Sequence, residues 1–108
     1  MMGVVVTFRY PDSFNVEKVQ KIASGARHKF EGMPGLRSKV FTIDAEAKQA
    51  INFYVWESRA SAESFFTPQL AEAITQLYGV RPEIRFVEIA ELVDNTTSAL
   101  LAPSAVRA

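Results

Sequence analysis

The feature that most constrains the fold of this chain is a short segment that is apolar on both of its faces. The segment INFYVWES spans residues 51–58, and its aromatic and β-branched residues predict a β-strand. Side chains alternate between the two faces of a strand. One face therefore carries Asn52, Tyr54 and Trp56, which combine apolar surface with polar ends. The opposite face carries only apolar side chains, those of Ile51, Phe53 and Val55. Both faces of this strand must be covered.

The rest of the chain alternates between strand and helix patterns. We predict strands at 3–10, 36–43, 49–57 and 83–93, a helix from 16 to about 30, and two helical pieces at 59–66 and 68–78. Asn15, Ser58 and Thr67 are the expected N-caps, and Gly79 the expected stop. The order βαββαβ predicts an α+β, ferredoxin-like sandwich, a four-stranded antiparallel sheet with its helices on one face. Residues 1–94 form one domain in this interpretation, and residues 95–108 are a tail that is loose or packed on a partner subunit.

Helices on one side of such a sheet leave its other side uncovered. A solvated antiparallel sheet shows a polar outer face, whereas the predicted third strand is apolar there too. We therefore expect a homodimer in which two copies pack sheet against sheet.

Composition narrows the class of protein. The 108 residues contain 12 Lys and Arg and 12 Asp and Glu, with no basic stripe, so nucleic acid is not an expected partner. No apolar run is long enough to span a membrane, and the N-terminal segment lacks the pattern of a signal peptide. There is no Cys, hence no thiol nucleophile or thiolate metal site. These features predict a cytoplasmic protein.

Four segments of the sequence resemble a known family. VVVTFRY, MPGLRSKVFT, FYVWESRASAESFFT and YGVRPEIRFVEIAELVDN are similar to the YdhR-type monooxygenases of the dimeric α/β-barrel superfamily. The resemblance covers about residues 3–95. It implies the ferredoxin-like sandwich derived above, dimerised into a barrel through its sheets. Other members of the superfamily are cofactor-independent oxygenases that act on aromatic substrates, and haem-degrading enzymes.

The resemblance also suggests site residues. Several members carry an Asn and a Trp four residues apart on a central strand that faces a cavity, and Asn52 and Trp56 match that spacing. YdhR-like sequences often have small residues where this chain has Ile51 and Asn52, which is a departure. The catalytic candidates are Asn52 as a donor to a substrate oxygen, Trp56 as a stacking wall of the cavity, and Tyr54 as a phenol facing a developing oxyanion. The alternative is that all three are core residues, with the amide satisfied internally.

No cofactor or metal is expected. The only histidine, His28, lies about 200° around its helix from Ala26, opposite the apolar stripe, so it should be solvated. Because the only histidine should be solvated, haem ligation loses most of its support. The sequence also has no glycine-rich phosphate loop that would indicate a nucleotide cofactor. The strand arginines Arg9, Arg37 and Arg85 could anchor an anion, but the sequence leaves their faces open.

Three functions remain compatible with the sequence. The first is a cofactor-independent monooxygenase that acts on a small phenolic or quinol-like aromatic. The second is a non-catalytic dimer that binds a small apolar molecule in the same pocket, and the third is a purely structural dimer.

Overall fold

The computed structural model describes residues 1–95, which leaves all but the first residue of the expected tail outside the described part. Its elements run in the order strand, helix, two strands, two helices, strand. They are β1 (Met2–Arg9), α1 (Val16–Phe30), β2 (Leu36–Asp44), β3 (Gln49–Trp56), α2 (Arg59–Phe65), α3 (Pro68–Tyr78) and β4 (Glu83–Glu88). The four strands form one antiparallel sheet in the order β2-β3-β1-β4. The ferredoxin-like prediction is confirmed.

The helix ends follow the capping residues read from the sequence. The side chains of Asn15, Ser58 and Thr67 each accept a hydrogen bond from a backbone N–H in the first turn of the helix that follows. Gly79 ends α3 in the left-handed region, with φ 84°. A glycine adopts that conformation without steric cost. Capping thus divides the second helical region into α2 and α3.

The core lies between the sheet and the helices. Its largest fully buried side chains are Trp56, Phe8, Val4 and Val6, which belong to the central strands β1 and β3. Val19 of α1, Ala62 of α2 and Tyr78 of α3 cover them. Every helix therefore contributes to the burial of one sheet face.

The opposite sheet face is apolar and partly open. Val5, Ile51 and Phe53 are half-buried there, and Val40 of β2 is 51% exposed. A Cβ on Gly3 would stand 3.0 Å from the Val87 side chain and 3.1 Å from the Phe53 ring, so the glycine lets these two side chains approach β1 closely. The homodimer that would cover this face stays a prediction.

The fourth strand is shorter than predicted, ending at Glu88 rather than at residue 93. Because β4 runs antiparallel to β1, Glu88 already pairs with Met2, the first residue of β1. The next ladder-like bond is a long one, from Ile89 N–H to the Met1 carbonyl at 3.4 Å. The apolar pattern continues through residues 89–93, but β1 begins at Met2 and offers no further residues with which they could pair.

The sheet register also settles the faces of the three strand arginines. Arg9 and Arg85 lie on the side away from the helices, where Arg9 pairs with Glu83 at 2.7 Å. Arg37 is the extra residue of a β-bulge in β2 and is exposed. Within residues 1–95, no helix combines the length and apolarity needed to cross a membrane.

Candidate functional site

Alternate residues of β3 bring the three candidate side chains to the helix-facing side of the sheet. Asn52, Tyr54 and Trp56 are all buried, with exposed fractions of 3%, 3% and 1%. The prediction that they share one face is confirmed. The three side chains have different neighbours, however, and those neighbours decide which of them can contact a ligand.

Asn52 is held by a tyrosine from α3. Its side-chain amide donates a hydrogen bond to the Tyr78 hydroxyl oxygen at 3.1 Å. The Tyr78 ring stacks on Phe8, with centroids 3.7 Å apart, and the Tyr10 hydroxyl donates to the Tyr78 carbonyl at 2.8 Å. Since the Tyr78 oxygen accepts from Asn52, its own O–H remains free to donate to a bound molecule. The pair is therefore a fixed donor group inside the core.

Burial keeps the two tyrosines of the site neutral. Desolvation raises the pKa of Tyr54 well above its ordinary value, with a smaller contribution from Tyr78. Desolvation also raises the pKa of Tyr78, partly offset by the hydrogen bond from Asn52. Both phenols are consequently proton donors throughout the neutral pH range.

Two cavities meet at the Asn52–Tyr78 pair. The first, of about 90 Å³, lies between the sheet and the three helices, where Tyr54 also lines it among phenylalanine rings. The second, of about 250 Å³, lies between α1 and β2. Asn52, Tyr78 and Phe41 line both. A ligand in either cavity would contact the same amide and the same phenol.

Trp56 does not line either of these two cavities. Its ring packs 5.2 Å from Phe65 and 6.1 Å from Tyr54. These two rings line the smaller cavity and separate Trp56 from it. The indole Nε1 is buried and has no hydrogen-bond partner in the described chain. Trp56 is a core residue by its contacts, and a catalytic role for it stays a prediction.

The structure adds one charged residue that the sequence interpretation missed. Lys39 of β2 is half-buried on the helix-facing side and lines the smaller cavity. Its Nζ lies 3.5 Å from the centroid of the Phe30 ring, 4.1 Å from that of Phe41 and 4.4 Å from that of Tyr54. Desolvation, reinforced by the nearby charge of Lys29, lowers the pKa of Lys39 to about 7. Alternation counted from Leu36 would place Lys39 on the opposite face, and only the bulge at Arg37 turns it towards the helices.

His28 lies on the surface, as predicted. Its side chain is 87% exposed, and its Nδ1 lies 2.9 Å from a carboxylate oxygen of Glu31. Among residues 1–95, no cluster of three or more His, Cys, Asp or Glu side chains is arranged to hold a metal ion.

Comparisons with known proteins point to one group. The family model described as "Putative mono-oxygenase ydhR" matches residues 4–87. No curated protein sequence matches the chain.

Three solved structures illustrate the likeness in fold. A monooxygenase from ActVA-Orf6 of Streptomyces coelicolor, solved with nanaomycin D, has 20% identity and a TM-score of 0.64 over 86% of this chain and 90% of that chain. Rv0793 from Mycobacterium tuberculosis has 13% identity and a TM-score of 0.63, covering 86% and 98%. SnoaB, a cofactor-independent oxygenase from Streptomyces nogalater, has 14% identity and a TM-score of 0.60, covering 85% and 95%.

Proposed function

Because the chain belongs to the YdhR mono-oxygenase family, we propose that it is a cofactor-independent monooxygenase that acts on a small phenolic or quinol-like aromatic. The observation that carries this proposal is the meeting of two cavities at the buried Asn52–Tyr78 pair. Aromatic rings surround the smaller cavity, and they suit a flat aromatic ligand.

The proposed chemistry asks the protein for position and charge stabilisation. A phenolate can itself pass an electron to O2, so the substrate supplies the reducing power. The Tyr54 and Tyr78 hydroxyls and the Asn52 amide are donors that could meet the negative charge as it develops. Enclosure of the substrate between sheet and helices would strengthen those interactions and exclude water.

Two of the similar structures support this choice of reaction. One is described as a monooxygenase in complex with nanaomycin D and the other as a cofactor-independent oxygenase. For this chain, that likeness supports a small molecule as the substrate.

The same proposal includes a second copy of the chain. Its sheet would cover the open apolar face that Val40, Ile51 and Phe53 form, by isologous packing. The homodimer would enclose a sheet-to-sheet core while each subunit keeps its own cavities between sheet and helices.

A non-catalytic binder of small apolar molecules is the second candidate. The observation in its favour is that the Asn52 amide already has an internal partner in Tyr78, as a structural amide would.

Oxygen-dependent product formation separates the two candidates. Protein stripped by a chelator is mixed with electron-rich phenols and quinols, with and without air, and product is measured by mass spectrometry. The monooxygenase should form product only with air, and Asn52→Ala should lower turnover about 10²- to 10³-fold, the usual loss for one oxyanion donor. Gln69→Ala removes an exposed amide of α3 and serves as the matched control. Equal product with and without air, or full turnover in Asn52→Ala, would refute the oxygenase proposal.

A further inference from the structure

Lys39 is a cation placed where the fold gives it no anionic partner. Within residues 1–95 its ammonium forms no ion pair with a carboxylate and no hydrogen bond; its neighbours are the faces of the Phe30, Phe41 and Tyr54 rings. Such cation–π contacts repay part of the cost of removing an ammonium from water. A half-buried charge without a counter-ion is nevertheless unfavourable, and a bound anion would offset that cost.

The cavity around Lys39 is positive. The titratable or charged groups that line it are Lys29 from α1, Lys39 itself from β2, Tyr54 from β3 and Tyr78 from α3, while α2 contributes the apolar Phe65. No acidic side chain lines it. Since both phenols are neutral at neutral pH, the field in this cavity comes from the lysines and favours a negatively charged ligand.

We propose that Lys39 is a catalytic residue that binds the substrate as a phenolate, with the phenolate oxygen on Lys39 Nζ. This assignment deepens the function proposed above and rests on it. The aromatic faces that surround Nζ would hold the ring of the substrate, and the Asn52–Tyr78 pair would stand on the far side of the same cavity. The substrate class is accordingly an aromatic that carries an ionisable hydroxyl.

The same residue can generate the anion that it binds. A pKa of about 7 leaves a substantial fraction of Lys39 as the free amine at neutral pH. The phenol O–H bond breaks, an N–H bond forms on Nζ, and the ammonium stays beside the phenolate as its counter-ion. Net charge in the cavity is unchanged by this transfer, so it requires no further base and no redox partner.

Binding of 4-nitrophenol tests the assignment without turnover. This phenol is electron-poor and resists oxidation, and its absorbance distinguishes phenolate from phenol. The intact protein should bind the phenolate more tightly than the phenol, which lowers the apparent pKa of the bound probe. Affinity for the phenolate should be greatest below the pKa of Lys39 in the free protein, about 7, and should fall as pH rises above that value. The fall should end at the higher pKa that Lys39 has in the complex, where the bound anion favours the ammonium.

Three variants identify the lysine. Lys39→Met should weaken phenolate binding about 10- to 100-fold, the usual range for losing a charge-assisted hydrogen bond, with little change for neutral phenol. Lys39→Arg keeps a permanent charge and should retain the preference for phenolate while losing its decline at high pH. Lys21→Met removes an exposed lysine of α1 and should bind like the wild type.

Two results would overturn the assignment: a wild-type protein without preference for the phenolate, or Lys39→Met that binds phenolate as tightly as the wild type. If neither Lys39 variant folds, the pH dependence of the wild type decides. Oxygen uptake with a quinol is measured separately. Lys39-dependent phenolate binding without oxygen uptake would leave the assignment standing and refute the oxygenase, whereas full oxygen uptake in Lys39→Met would do the reverse.

Discussion

Replacement of Lys39 by methionine should stabilise the protein at acidic pH and lose that advantage at alkaline pH. Methionine keeps an unbranched apolar side chain, one heavy atom shorter than that of lysine, and removes the ammonium that lies over the Phe30 and Phe41 rings. In the wild-type protein the ammonium of Lys39 is partly buried, and the loss of its hydration destabilises the fold. A destabilising charge in a ligand cavity is the expected signature of a site that awaits an anion.

The sign of the pH dependence follows from proton binding. Burial lowers the pKa of Lys39 from 10.5 to about 7, so between those values the unfolded chain binds more protons than the folded one. Stability of the wild type attributable to Lys39 therefore rises with pH across this window. The cost is fully present below pH 7 and disappears as pH approaches 10.5. Lys39→Met has no such group and should show no such rise.

The magnitude is limited by the exposure of the side chain. The lowering of the pKa of Lys39 from 10.5 to about 7 would correspond to about 5 kcal/mol of unfolding free energy if the amine were wholly desolvated. Because Lys39 is only half-buried, water screens much of this, and methionine forfeits the cation–π attraction. We expect Lys39→Met to be more stable by about 1–2 kcal/mol at pH 6 and by close to zero at pH 10.

Urea unfolding at pH 6, 8 and 10 measures this difference, with the fluorescence of the single Trp as the probe. Protein concentration is held constant, since dimerisation would contribute to apparent stability. Lys21→Met removes an exposed lysine of α1 and should match the wild type at every pH. A Lys39→Met protein less stable than the wild type at pH 6, or a difference that does not change with pH, would refute the reasoning.

Three further changes test the packing of the site, the sheet face and a turn. Asn52→Ala should cost about 1–2 kcal/mol in urea unfolding, because it leaves the buried Tyr78 hydroxyl without its amide partner; equal losses with and without Tyr78→Phe in a double-mutant cycle would contradict that coupling. Phe53→Asp should convert the expected homodimer to monomer in light scattering, since it places a charge on the open apolar face; an unchanged mass would refute sheet-to-sheet packing. Gly35→Ala should lower stability by more than about 1 kcal/mol, because Gly35 has φ 83° and its Cβ would stand 2.8 Å from the Ser61 hydroxyl; a melting temperature equal to that of the wild type would contradict this.

Much of the fold could be predicted because its signals are local. The capping residues Asn15, Ser58 and Thr67 mark helix starts through bonds to backbone groups within three residues. Alternation along β3 placed Asn52, Tyr54 and Trp56 on one face, and the order of the elements then left few ways to close a sheet. The end of β4 could not be predicted in the same way, since it depends on where its partner strand begins.

The candidate site also contains features that local periodicity determines and features that only packing determines. The residues of β3, their shared face and the exposed His28 were determined by the sequence, because a strand or a helix has a fixed period.

Tertiary structure decided which side chains meet. Asn52 and Tyr78 are 26 residues apart, and they bond because the end of α3 lies against the central strands, where the Tyr78 ring stacks on Phe8. Leu36 and Lys39 both face the helices although their positions differ by three, because the bulge at Arg37 shifts the pairing of β2 by one residue. Regular alternation from Leu36 would have sent Lys39 to the open face. The cation of the cavity therefore depends on an irregularity of strand pairing, which local propensity does not encode.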